Sequence, residues 1–169
     1  MENYILEKAK VQDLDRIWEI LQSAIERRRQ DGSEQWQDGY PNPSTIKADI
    51  EKSAAFVLKL NHHIIGYCAI LKNDEPAYEH LDGKWLSTSD YFVVHRMALA
   101  PEALGKGLAK FIFLEVEKLA IQNQIFSIKV DTNYDNQAML AILQKLGYQY
   151  CGEVSYRNSP RKAFEKTLS

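Results

Sequence analysis

Long apolar runs, a basic excess and paired cysteines are all missing from this 169-residue chain. No run approaches the ~20 apolar residues of a membrane-spanning helix. The opening MENYILEKAK has no signal-like apolar stretch. Together these absences predict a cytoplasmic protein with no membrane partner. The formal net charge is -2, whereas chains whose main partner is nucleic acid carry a clear basic excess. The cluster Arg27, Arg28 and Arg29 closes a predicted helix, where cations suit the dipole. Cys68 and Cys151 each stand in an apolar, strand-like run without CxxC spacing. Buried thiols in a reducing compartment are therefore expected. His62, His63 and His80 fall in predicted turns or loops without metal-ligand spacing, so no metal is expected.

What is present reads as one α/β domain over residues 1–169, long enough to bury a core without staples. NYILEKAK alternates as a strand. DLDRIWEILQSAIERRRQDG places Leu14, Ile17, Trp18, Leu21, Ala24 and Ile25 on one helical face. SEQWQDGYPNPS is a loop and TIKADIEKS a short helix. AFVLKL, the turn NHH and IIGYCAILK form a hairpin, followed by the irregular NDEPAYEHLDGKW. DYFVVHRMALA is nearly continuous in apolar character, as central strands are. Leu108, Phe111, Ile112, Val116 and Leu119 mark a helix, and FSIKVDT a further strand. Asp135 is the expected cap of NQAMLAILQKLG, with Gly147 just past its end. YQYCGEVSY and KAFEKTL close the chain, joined by RNSPR. Strand, helix, strand over 90–131 is a βαβ unit, so its strands should be parallel.

The stretch APEALGKGLAK sits where the strand hands over to the helix. Its glycines, Gly105 and Gly107, allow close backbone approach, and a helix N-terminus favours anions. The dinucleotide fingerprint would need a third glycine at position 110, which is Lys110, and no P-loop is present. A tight turn with no ligand and an anion cradle are both open at this point.

With its flanking elements the stretch resembles the pyrophosphate loop of the GNAT superfamily of acyl-CoA-dependent acetyltransferases, written R/Q-x-x-G-x-G/A. Gly107 and Ala109 fill the last two fixed positions, while Leu104 replaces the Arg or Gln. VDTNYDNQAMLAILQKLGYQYCGEV resembles the family's C-terminal motif, and the element order fits over nearly the whole chain. The resemblance implies a mixed central sheet of six to seven strands with about four helices, whose central parallel strands splay apart. It implies acetyl-CoA as co-substrate. The pantetheine arm would pair with Met97, Ala98 and Leu99, and the diphosphate would rest on Gly105, Lys106, Gly107, Leu108, Ala109 and Lys110. Asn136 would contact the arm or serve as a local helix cap, with Asn133 a weaker candidate. The expected activity is N-acetylation of a primary amine of a small molecule or peptide, by direct attack in a ternary complex. A non-catalytic acyl-CoA-binding sensor or interaction module is the alternative, and a homodimer is left open.

Acetyl transfer needs a neutral amine, so a base must remove its proton. His95 lies two residues before Met97, where the family commonly has Glu. An imidazole can do that work near pH 7. Strand alternation would aim both residues to one face; the other reading is a packed core histidine. The family's usual acid, a Tyr, is replaced by Leu143, which leaves Tyr134 or Tyr156. Trp36 and Tyr40 either wall the acceptor pocket or cap the core edge. Arg157 and Arg161 either read an acceptor carboxylate or are solvated.

Overall fold

A computed structural model describes residues 2–156 and 158–169. Among them are four α-helices and eight strands, β1 (Tyr4–Lys8), β2 (Ala55–Leu60), β3 (His63–Lys72), β4 (Asp82–Gly83), β5 (Phe92–Leu99), β6 (Ser127–Asn133), β7 (Gln149–Tyr156) and β8 (Ser159–Thr167), in the order β1-β2-β3-β5-β6-β8-β7-β4. The chain divides into two compact units. One runs up to Ile70 and includes Arg96–Ile112; the other joins Leu71–His95 to Phe113–Ser169.

The first unit opens with β1 (Tyr4–Lys8) and α1 (Leu14–Gln30), followed by α2 (Pro43–Glu51), β2 (Ala55–Leu60) and most of β3 (His63–Lys72). Helix α1 buries Ile17, Ile20, Leu21 and Ala24, the apolar face read from the spacing shifted by part of a turn. A fully buried Ile or Leu contributes about 1.5–3 kcal/mol, so this face anchors the helix. Asn42 caps α2 by accepting from the Thr45 amide at 3.1 Å, and Pro43 occupies the first turn. The helix therefore starts before the expected Thr45. β1 pairs antiparallel with β2, and β2 with β3. The hairpin turn is shorter than NHH. Asn61 and His62 both have positive φ, 50° and 74°, as a two-residue primed turn demands, and His63 already belongs to the strand.

Strand β5 (Phe92–Leu99) is shared between the units. It is not regular: Arg96 has φ +55°, a left-handed conformation uncommon outside glycine. Arg96 is held there by a buried fork. Its Nε donates to Asp49 Oδ2 at 2.9 Å and its Nη2 to Asp49 Oδ1 at 2.5 Å. Nη1 donates to the Tyr40 hydroxyl, while the Tyr67 hydroxyl donates to Asp49 Oδ2 at 2.6 Å. Burial alone would lower the Arg96 pKa, but Asp49 reverses that and holds the guanidinium charged. In the same core, burial pushes the Cys68 thiol up to about 12, in keeping with the inert buried thiol expected.

In the second unit, β5 begins a parallel ladder with β6 (Ser127–Asn133), coupling Phe92 to Ile128 and Val93 to Lys129. That ladder is two pairs long although each strand continues, as the splay expected of the central strands requires. β6 pairs along its whole length with β8 (Ser159–Thr167), which pairs with β7 (Gln149–Tyr156). The last hairpin closes more tightly than RNSPR suggests, and Arg157 lies outside the described residues. The eighth strand, beyond the expected six or seven, is β4 (Asp82–Gly83), a two-residue pairing with β7 inside the irregular segment. Helix α4 (Gln137–Lys145) is capped by Asn136, whose side chain accepts from the Met139 amide at 3.1 Å. Asp135, the expected cap, lies one residue too early.

The segment after β3 is ordered by contacts on the β6–β8 face. Trp85 Nε1 donates to the Tyr78 carbonyl at 2.9 Å. Glu165, fully buried, accepts from the Leu86 amide and from the hydroxyls of Ser87 and Ser127. The Lys129 ammonium lies 4.3 Å from the Trp85 ring centre and 3.8 Å from that of Tyr91. This segment roofs a sheet face that carries polar side chains.

Candidate active site

The glycine turn is in the first unit. A short 3-10 turn at Pro101–Ala103 leads to Gly105 and Gly107, with φ +76° and +72°, and α3 (Leu108–Gln122) starts immediately. Phe111 N donates to the Gly107 carbonyl at 3.2 Å, so Gly107 occupies the cap. The amides of Leu108, Ala109 and Lys110 then fall in the first turn, where no intrahelical acceptor exists. A Cβ built at Gly105 or Gly107 meets nothing within 4 Å, and residues 104–107 are exposed. The turn thus presents first-turn amides and a positive helix end beside open space, which fits an anion. Met97 and Ala98 are buried on β5. The Leu99 carbonyl already accepts from Arg27 Nη2 at 2.9 Å, so one of the three arginines does more than suit the dipole. Leu104, exposed where the family has Arg or Gln, offers no side-chain donor.

In the second unit, His95 Nε2 lies 2.8 Å from Glu75 Oε2, and both side chains are mostly enclosed, at 13% and 16% exposure. Burial raises the Glu75 pKa, but the hydrogen bond and charge of His95 outweigh it and leave the carboxyl below its ordinary 4.5. Its stabilising contribution is therefore present above that ordinary value and lost as pH falls through the lower folded value. Glu75→Gln should be less stable than the parent at neutral pH, with the difference shrinking in acid; denaturant melts at pH 7 and pH 3 check this. A difference that does not change with pH would show that the Glu75 charge is not what stabilises.

The strand-parity argument for His95 does not survive, because the left-handed Arg96 stands between it and Met97 and interrupts the alternation. The Glu75 contact is the stronger pointer. The Tyr156 hydroxyl donates to Asp131 Oδ2 at 2.9 Å. Tyr78 donates to the same oxygen at 2.7 Å. Burial, then Asp131, raises the pKa of both phenols, so each keeps its proton. Leu143 is fully buried in the core. Tyr134 is exposed and bonded to Glu153, outside this network.

Trp36 and Tyr40, neighbours in one loop, diverge. Trp36 is buried, carries Arg28 over its ring at 3.9 Å, and lines a pocket of about 490 Å³ with Trp18, Gln22, Ile25, Gly39 and Pro41. Tyr40 instead supports Arg96 and does not line that pocket. Glu75 and Asp131 were not singled out in the sequence. Glu75 stands in a segment without period. Asp131 shares an alternating polar set, Ser127, Lys129, Asp131 and Asn133, on a central strand; that is the signal that could have found it. No cluster of His, Cys, Asp and Glu among the described residues could hold a metal ion. No helix among them is long and apolar enough to cross a membrane.

The chain belongs to the Acetyltransferase (GNAT) family, whose model matches residues 14–148. It is similar to a GNAT-family acetyltransferase from Streptococcus agalactiae, with 32% identity, a TM-score of 0.88, and coverage of 98% of this chain and 96% of that one. A GNAT-family acetyltransferase from Listeria monocytogenes shares the fold at 20% identity, TM-score 0.79 and 98% and 95% coverage. So does yncA of Salmonella typhimurium, a structure named an acetyltransferase with its cofactor acetyl-CoA, at 14% identity, TM-score 0.70 and 98% and 94% coverage. No curated protein matches the sequence. The protein is an acetyltransferase that uses acetyl-CoA, and the Gly105–Lys110 turn has the open backbone that a diphosphate fits.

Proposed function

We propose that the protein is an N-acetyltransferase acting on a primary amine of a small molecule or peptide, by direct attack in a ternary complex. We take residues 1–169 as one cytoplasmic catalytic domain. The family match, which runs through both compact units, supports the single-domain reading. Bound acetyl-CoA supplies an acetyl group activated as a thioester. The amides from Gly105 to Lys110 hold its diphosphate, and the backbone of Met97, Ala98 and Leu99 holds its pantetheine arm. Exposed Lys106 and Lys110 add little beyond long-range charge.

The observation that carries the reading is the 2.8 Å contact of His95 with Glu75. Paired base and orienting carboxylate is the arrangement that proton abstraction from a nucleophile calls for. An alkylamine is mostly protonated at neutral pH. His95 takes that proton, directly or through one water, and Glu75 fixes the ring and favours the imidazolium that results. Trp36 belongs to the acceptor side as a pocket wall, and Tyr40 contributes to it through Arg96.

Free-thiol release, followed across a panel of amines with acetyl-CoA, tests the reading. Initial-velocity lines for a turned-over amine against acetyl-CoA should intersect, as attack within a ternary complex requires. Parallel lines would point to an acetylated enzyme and would overturn the direct-attack mechanism.

A further inference from the structure

The second unit holds a buried cation that lacks a hydrogen bond among the described residues. Arg161 is 8% exposed, yet its guanidinium has no hydrogen-bond partner among the described residues. Nε is enclosed and unpaired. Nη1 comes only within 3.8 Å of Asp131 Oδ1, too long for a hydrogen bond, and the group lies 5.3 Å over the Tyr156 ring. Asp131 Oδ2 is occupied by Tyr78 and Tyr156, and Oδ1, the oxygen nearest Arg161, stays beyond hydrogen-bond reach. Asn133, paired in register with Arg161 on the neighbouring strand, has an Oδ1 that is also buried and unpaired. An unmatched donor fork and an unmatched acceptor therefore stand side by side without satisfying each other. Buried polar groups are normally bonded, and a guanidinium is the costliest to leave bare. Such a pair is explained by a third group that supplies both an anion and a donor.

We propose that Arg161 binds the carboxylate of the acceptor, so that the substrate is a small amine bearing a carboxylate, of the amino-acid type. This inference rests on the N-acetyltransferase reading above. Three features favour a carboxylate-bearing amine over a simple amine. The guanidinium offers a planar fork that matches a carboxylate. Asn133 Oδ1 and the carboxylates of Asp131 and Glu75 suit the ammonium end. Finally, Asp131 Oδ1 lies 3.8 Å from Arg161 Nη1 and Asp131 Oδ2 accepts from Tyr78, whose ring centre is 6.3 Å from that of His95, the proposed base. Arg161 and the proposed base thus border one cluster centred on Asp131 and Tyr78.

The test uses the full chain with saturating acetyl-CoA and compares each of the twenty standard amino acids with its own carboxamide. The acids that turn over should show kcat/KM about ten- to a hundredfold above their amides, the range of a charge-assisted hydrogen bond. Amides have the less basic amine, so intrinsic reactivity works against this result. Arg161→Gln should cost the acid about ten- to a hundredfold more than it costs the amide and so remove the preference, while Arg161→Lys should restore part of it. Equal rates for acid and amide in the wild type would overturn the proposal, and that comparison needs no variant to fold. An equal loss on both in Arg161→Gln would also overturn it, as a structural effect. Should no amine release thiol, the transferase reading fails, and calorimetry with the same amino acids decides this inference alone. Binding weakened at least tenfold in Arg161→Gln sustains it. No binding to the wild type means that water fills the gap, and refutes it.

Discussion

His95→Ala should slow acetyl transfer about 10²–10⁴-fold, the usual contribution of a positioned base, while acetyl-CoA affinity stays close to that of the parent. The cofactor is held in this reading by backbone groups of the first unit, and His95 belongs to the second. Removing the imidazole therefore leaves the cradle intact and strands the amine in its protonated form. Glu75 separates this account from its nearest rival. If Glu75 only orients the ring, Glu75→Gln should cost less than His95→Ala, because an amide still hydrogen-bonds imidazole. If instead the carboxylate takes the proton and the histidine merely packs beside it, Glu75→Gln should be the more damaging of the two. Turnover of both variants at saturating acetyl-CoA, with affinity measured separately by calorimetry, distinguishes the cases. Full activity in His95→Ala would return the residue to a structural role.

The elements that were legible are those with a period or a local rule. The face of α1, the apolar runs and turn of the β2–β3 hairpin, and the glycines ahead of α3 depend on neighbours within one turn or one pleat, and the string records such neighbours. What was hidden is long-range. His95 and Glu75 are twenty positions apart, and Glu75 stands in a stretch with no helical or strand period. That stretch is ordered only by what it lands on, through Trp85, Leu86 and Ser87. The polar alternation of Ser127, Lys129, Asp131 and Asn133 would ordinarily mean a solvated face. Here the same stretch roofs the face, and the polar set becomes an enclosed network. The Arg96 conformation was invisible for a related reason, since its stabilising partners Asp49 and Tyr40 come from distant positions. The consequence is specific: the alternation that pointed from Met97 to His95 breaks at Arg96, so the candidate base now stands on its contact with Glu75 instead. Trp36 and Tyr40 make the same point at four residues' separation. One loop sends one ring to a pocket wall and the other to a guanidinium, and no local pattern distinguishes them.

Gly107→Glu should abolish measurable acetyl-CoA binding while leaving the fold recognisable. Gly107 sits at φ +72° in the cap position ahead of α3. A side chain there costs about 1–3 kcal/mol in backbone strain. A Cβ meets no protein atom within 4 Å, so that strain is the whole of the steric effect on the empty chain. The ligand fares differently. The open space beside Gly107 is what the diphosphate is proposed to occupy, and a carboxylate there places like charge against it in front of the first-turn amides. Gly107→Asn isolates the charge, because asparagine tolerates the left-handed region better than other side chains and carries none. Calorimetry should therefore rank the affinities as parent, then Asn, then Glu, with heat of binding lost in the last. The melting temperature gives an independent reading. Acetyl-CoA at a hundredfold excess over its dissociation constant adds about 2.7 kcal/mol of stability, and this gain should be present in the parent, smaller in Gly107→Asn and missing in Gly107→Glu. Parent-like affinity in Gly107→Glu would mean that the diphosphate does not rest on this turn, and the cradle would have to be sought elsewhere on the chain.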